Sequence, residues 1–207
     1  MNAQPQSLGF AIVGSGGQSD PTLHELLRSA TQEVHERLHS HPGLAAVKAG
    51  TITRARYVAL LRRLYGFHRP FEIAAGVAPE RTQWLESDLA VFSIDRAMCS
   101  ALPNCRMFHS HPSQSFLLGA SYVVEGSALG GRGLARALDG LLGMGVTVGR
   151  SFFTGHGAAT GTVWRDYLAR LSAAPNEAST RLAVISGATA TFAIFEQWLA
   201  GWDVEDE

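Results

Sequence analysis

From residue 20 onward, apolar residues recur at three- and four-residue intervals, and no stretch shows sustained period-two alternation. Leu23, Leu26, Leu27, Ala30, Val34 and Leu38 form the first such stripe. Asp20 is a capping candidate, Pro21 suits a first helical turn, and Thr22 with Glu25 has capping-box spacing. The pattern predicts a helix that ends near His41-Pro42-Gly43. Thr53 opens a second stripe, Tyr57, Leu60, Leu61 and Leu64, which Pro70 is expected to bend or end. Trp84, Leu85, Leu89 and Phe92 predict a shorter third helix, and Pro103 to Pro112 a loop. A fourth helix is predicted from Gln114 to Gly126, continuing past the glycines towards Leu142. Thr162 to Leu171 and Glu177 to Trp202 complete the set.

No repeat or change of composition divides the chain, so one all-α domain over residues 20–203 is expected. Residues 1–19 read as a flexible leader and 204–207 as an acidic tail. Gly14-Ser15-Gly16-Gly17 has the look of a dinucleotide loop, but no βαβ context follows it, and linker is the better reading.

Composition narrows the function classes. Of the 207 residues, 46% are apolar and 17% charged, which describes a core-forming chain. A formal net charge of -1 gives no electrostatic case for nucleic acid or an anionic membrane. Phe116 to Val124, stopped by Glu125, is too short to span a bilayer. No signal peptide is visible, and a soluble cytoplasmic protein is expected. Cys99 and Cys105 indicate neither a zinc site nor a disulfide framework and read as reduced thiols. Lys48 is the only lysine among the 17 basic residues, so an anionic ligand would be met mainly by arginine.

Two segments carry candidate chemistry. His35 lies on the first helix, with Thr31 one turn before it and Leu27 and Arg28 two turns before. A neutral imidazole in such a setting is competent to ligate a metal or a haem iron. A lone histidine beside an apolar stripe is more often a surface or satisfied core residue, and the spacing alone leaves His35 there. That plain reading is given to His24, His39, His41, His68, His109 and His111. His109 and His111 flank Ser110 in the proline-bounded loop without an obvious third metal ligand. The second segment is glycine-rich, for 11 of the 22 glycines fall between Gly126 and Gly161. Each glycine inside a helix costs about 1 kcal/mol relative to alanine. Gly126, Gly130 and Gly131 therefore imply either close helix packing or close approach of a flat ligand.

Together the two segments resemble the haem oxygenase family. Leu26 to His35 looks like the family's proximal helix, with His35 on the axial ligand, and Gly126-Ser127-Ala128-Leu129-Gly130-Gly131 looks like its kinked distal helix. Tyr122-Val123-Val124-Glu125 extends the match. Phe153 to Gly157, Thr160-Gly161, Trp164 and the run Ala190 to Leu199 are similar to bacterial members associated with bacteriophytochromes. The resemblance covers roughly residues 22–200. It implies haem b held between the two helices as substrate and cofactor, and opened by O2 to biliverdin, carbon monoxide and ferrous iron.

Roles follow from the resemblance. His35 would ligate iron, with Glu33, Glu36, a backbone carbonyl or water as partner of its other ring nitrogen. Arg28 and Thr31 would contact haem, with Arg28 at a propionate and Arg165 or Arg170 as a second anchor. Gly126, Gly130 and Gly131 would press on the macrocycle, and ordered water, with Ser127, would supply protons. Ser127 departs from the mammalian enzymes, which carry an aspartate there. Electrons would come from a ferredoxin or a reductase, and a bacteriophytochrome is a candidate acceptor of the biliverdin. The main alternative is a haem-binding or storage protein on the same fold. A thiaminase or di-iron type helical enzyme is less well supported, because its site needs several Glu, Asp and His on facing helices and Glu36 with His39 is the one Glu-x-x-His pair in the predicted helices. An all-α interaction module would bind no haem.

Overall fold

A computed structural model describes residues 20–106 and 112–202; the leader, the tail and the His109–His111 segment lie outside the described residues. Among the described residues the chain is helical throughout, with no strand. In order the helices are α1 (Leu23–His39), α2 (Pro42–Lys48), α3 (Arg54–Ala75), α4 (Glu80–Ala90), α5 (Arg96–Ser100), α6 (Gln114–Ala137), α7 (Asp139–Leu142), α8 (Ser151–Thr154), α9 (Thr160–Ser172) and α10 (Ala178–Leu199). A single 3₁₀ turn, Gly157–Ala159, precedes α9.

The expected start signals operate. Thr22 caps α1: its hydroxyl accepts from the Glu25 amide at 3.2 Å, and the Glu25 carboxylate accepts from the Thr22 amide at 2.8 Å. Asp20 and Pro21 therefore precede the cap. Thr53 caps α3 and Ser113 caps α6 in the same way. Pro42 does more than end the first helix, because it sits in the first turn of α2, a helix the periodicity did not reveal.

Pro70 neither ends α3 nor leaves a bond unmade. The helix continues to Ala75 and stops at Gly76 with φ 63°. Proline has no N–H, so the carbonyl of Gly66 lacks its helical donor, and the Cys105 amide donates to it at 2.8 Å. Gly66 is also approached closely by the Pro103 carbonyl and the Trp198 ring. The loop leading to α6 is thereby pinned to α3. Cys99 and Cys105 are buried, and neither is in a disulfide among the described residues.

The core runs along α1, α3, α4, α6, α9 and α10, with Leu27, Leu60, Leu61, Tyr167, Val184 and Leu199 almost fully buried. The most extensive helix contact is that of α6 with α10. Gly119 of α6 faces the Val184 carbonyl, and Gly187 of α10 faces the Phe116 carbonyl, so each helix uses a missing Cβ to admit the other's backbone. Although α10 is long and apolar enough to cross a membrane by length and composition, it packs on α6, α1 and α3 as a core helix. Two clamps join it to the rest: the Arg63 guanidinium donates to the Trp198 carbonyl at 2.8 Å, and the Trp198 indole donates to the Arg63 carbonyl at 2.7 Å.

Buried carboxylates fix the short elements. Glu72 on α3 accepts from the Arg81 and Thr82 amides in the first turn of α4. Asp88 on α4 accepts from the Ser151 amide at 2.6 Å and the Phe152 amide at 2.9 Å, holding α8 in place. Arg150 reaches the Ala135 carbonyl, Asp139 and the Gly143 carbonyl, tying the end of α6 to α7 and its loop.

Candidate functional site

One apolar cavity of about 440 Å³ is walled by α1 and α10 on one side and by α3, α4, α6, α8 and α9 on the others. That volume lies in the range of small-molecule and cofactor sites. His35, Leu38 and His39 project into it from α1, and Phe192 and Phe195 from α10. Across from them, α6 contributes an uninterrupted face that includes Gly126, Ser127, Gly130 and Gly131. Trp84, Phe152, Phe153 and Trp164 close the remaining sides.

His35 is exposed and faces the cavity. Its ring meets His39 edge-on at 4.5 Å and Phe192 at 6.3 Å. Partial burial, with the nearby charge of His39, holds its pKa below the ordinary histidine value, while Glu36 opposes that shift. The neutral, ligating form is therefore favoured. Neither carboxylate expected beside it is hydrogen-bonded to it. Glu33 accepts from Arg37, which is also paired with Glu196, and Glu36 accepts from Gln32.

The glycines of α6 divide by role. At Gly131 a Cβ would lie 2.6 Å from the Phe153 carbonyl oxygen, so this glycine serves helix packing against α8. At Gly130 a Cβ would meet nothing within 4 Å, and at Gly126 only the Trp164 ring at 3.6 Å. Those two leave the wall open for a flat ligand. Of the two explanations left open by the sequence, close packing accounts for Gly131, while Gly126 and Gly130 have no such backbone neighbour. The Ser127 hydroxyl donates its one proton to the Val124 carbonyl at 2.8 Å, which leaves it only as an acceptor towards the cavity.

The structure does not bring the other expected contacts to the cavity wall. Thr31 is buried with its hydroxyl donated to the Leu27 carbonyl at 2.8 Å. Arg28 is exposed outside the lining, close to Tyr122. Burial raises the pKa of the Tyr122 hydroxyl, with Thr31 and the Arg28 charge opposing. Arg165 folds back onto its own helix, donating to Thr162 at 3.1 Å, and Arg170 lies 5.9 Å over the Tyr167 ring. Both are exposed and point away from the site because α9 turns Trp164, not its arginines, inward.

Residues without an expected role take their place. Lys48, at the end of α2, lines the cavity and is exposed. His39 and His68 line it too, although both read from the pattern as surface or satisfied core histidines. Arg81 lines it as well, bonded to Glu125 at 2.8 Å in a pair whose side chains are 8% and 17% exposed. Nothing in the sequence links residues 44 positions apart, but His68 had a signal. It stands on the Leu61-Leu64-Phe71 stripe of α3, a polar ring at a core position.

Burial, reinforced by the Arg81 charge, pushes the His68 pKa well below 6.5. Above that pH the ring is neutral in folded and unfolded chains alike. As pH falls below it, the unfolded chain binds a proton that the folded chain refuses, so folding stability is lost at up to about 1.4 kcal/mol per pH unit. His35 acts in the same direction. His68→Phe should therefore lose less stability than the wild type between pH 7 and pH 5. Urea unfolding at both pH values checks this, and equal losses in the two proteins would contradict it.

Fold and cavity define a protein that is all-helical among the described residues, with an apolar cavity lined by a histidine-bearing helix and a glycine-bearing one. The haem oxygenase family model matches residues 21–201, and the chain belongs to that family. Its fold is similar to that of haem oxygenase from Leptospira interrogans, with TM-score 0.68, 18% identity, and coverage of 87% of this chain and 99% of that one. It is similar also to haem oxygenase-1 from the cyanobacterium Synechocystis, solved in complex with haem, with TM-score 0.69, 17% identity, and coverage of 88% and 93%. No curated protein matches the sequence. Among the described residues no three His, Cys, Asp or Glu side chains converge, unlike a carboxylate-bridged di-iron centre.

Proposed function

We propose that the protein is a haem oxygenase that opens haem to biliverdin, carbon monoxide and ferrous iron, using O2 and electrons from a ferredoxin or a reductase. The observation that carries this reading is the placement of a neutral, accessible His35 opposite the Gly126–Gly130 face in one apolar cavity. The residues present fit haem: aromatic and aliphatic walls suit the macrocycle, and Lys48 suits the propionates.

Haem supplies the iron at which oxygen is activated and the ring that is opened. His35 would hold the iron through a ring nitrogen. Gly126 and Gly130 would admit the macrocycle against α6. Phe152, Trp164, Phe192 and Phe195 would exclude bulk water from it. Lys48, exposed on the lining, would meet a propionate, the role expected of Arg28, which lies outside the lining and close to Tyr122. Biliverdin release to a bacteriophytochrome belongs to this reading as its downstream step.

Titration of the apoprotein with haem, followed by reduction with ascorbate or a reductase, tests the proposal. The wild type should form a histidine-ligated complex, then lose the Soret band as a biliverdin spectrum appears. A Soret band that persists under reduction would favour the haem-storage alternative. Lys48→Ala should bind haem roughly 2- to 5-fold more weakly, the scale of an exposed ion pair, with ligation unchanged.

A further inference from the structure

His68 is a buried ring with a nitrogen that nothing satisfies. It is 3% exposed, and its Nδ1 has no hydrogen-bond partner among the described residues. Aromatic contacts fix the ring, Phe152 at 5.0 Å and Phe67 at 5.2 Å. Buried polar atoms are almost always paired, in many proteins by an ordered water, and this one has almost no accessible surface of its own on a ring that reaches the cavity. The ring lines the same cavity as His35 and the Gly126–Gly131 face.

The other polar groups on this side are committed. Arg81 donates to Glu125, and Ser127 donates to Val124. The Glu72 carboxylate is occupied by Arg81 and Thr82. A neutral imidazole carries one donor and one acceptor, so it is able to hold a water in a fixed orientation.

We propose that His68 is a positioning residue that holds an ordered water in the cavity it shares with His35. This rests on the haem oxygenase reading. The depressed basicity of His68 agrees with it, since the ring stays neutral and keeps both hydrogen-bonding roles.

The test compares wild type, His68→Phe and His68→Gln, each loaded with haem. Phenylalanine fits among Phe67 and Phe152 and removes the unpaired nitrogen, so the variant should fold; glutamine restores a donor and an acceptor. In the ferrous carbon monoxide adduct, His68→Phe should raise the CO stretching frequency, as expected when a polar partner near the bound gas is lost. Its turnover should fall roughly 3- to 10-fold, the scale of one hydrogen bond, with haem affinity within about 2-fold of wild type. His68→Gln should lie between the two in both readouts. If all three proteins give the same CO frequency and turnover, the positioning role is wrong while the haem oxygenase reading stands. A wild-type ferric spectrum with two histidine ligands that becomes singly ligated in His68→Phe would also overturn it, in favour of direct ligation. A wild type that takes up no haem removes the functional reading itself.

Discussion

Replacing His35 with alanine is expected to remove the histidine-ligated spectrum of the haem-loaded protein and to lower turnover by more than about 100-fold. Even the loss of a residue that merely orients a metal ligand costs 10- to 100-fold, and loss of the ligand itself exceeds that. Because His35 is exposed in the apoprotein, its removal should change folding stability by no more than about 0.5 kcal/mol. The neighbour His39 complicates a single substitution. It lies one turn on, at 4.5 Å, and also faces the cavity. A ligated spectrum that survives in His35→Ala but vanishes in the His35→Ala, His39→Ala double variant would show substitution by the neighbour. Added imidazole should restore the signal to the double variant. An unchanged spectrum in that variant would disprove ligation from α1.

The second large effect concerns the α6–α10 crossing. Gly187→Ala gains about 1 kcal/mol of helix propensity, yet its Cβ would collide with the Phe116 carbonyl. Backbone cannot rotate out of the way as a side chain would, so the collision should win and leave the protein about 2 kcal/mol less stable, with Gly187→Val worse still. Gly119→Ala should behave alike, because its Cβ meets the Val184 carbonyl. Gly130→Ala is the control. With nothing within 4 Å of its Cβ, it should stabilise the apoprotein slightly while narrowing the cavity. Thermal or urea unfolding of the four variants checks the order. Gly187→Ala as stable as the wild type would mean that the two helices are not held at this separation.

Long helices were legible in the sequence because each carries apolar positions over several turns, joined at α1 and α3 by a cap at Thr22 or Thr53. The short helices were not, and the reason is physical. Helix α8 has four residues, and its first amides are held by Asp88, 63 and 64 positions earlier in the chain. No local pattern records such a bond. Pro70 misled in the opposite direction, since its damage to the helix is repaired by Cys105 from a distant loop. Within the site, His35 and the α6 glycines were legible because one helix face presents each set. Residues meant to meet the ligand's acidic edge were harder. Arg28 shares a helical face with His35, but a helix face is wider than a cavity mouth, and the long side chain leaves along its outer margin. Lys48 depends on a helix that the periodicity did not show.

The glycines of α6 also have a mechanical consequence. The helix is gripped at Gly119 by the backbone of α10 and at Gly131 by the backbone of α8, and between them Val123 and Val124 are buried and Glu125 is paired with Arg81. At Gly130, one residue short of the α8 grip, a Cβ would meet nothing within 4 Å. The helix is a beam held along its length with a notch cut in its surface. A ligand pressing there would meet backbone in place of a side chain, and the rest of the bundle would not register that the notch had been filled.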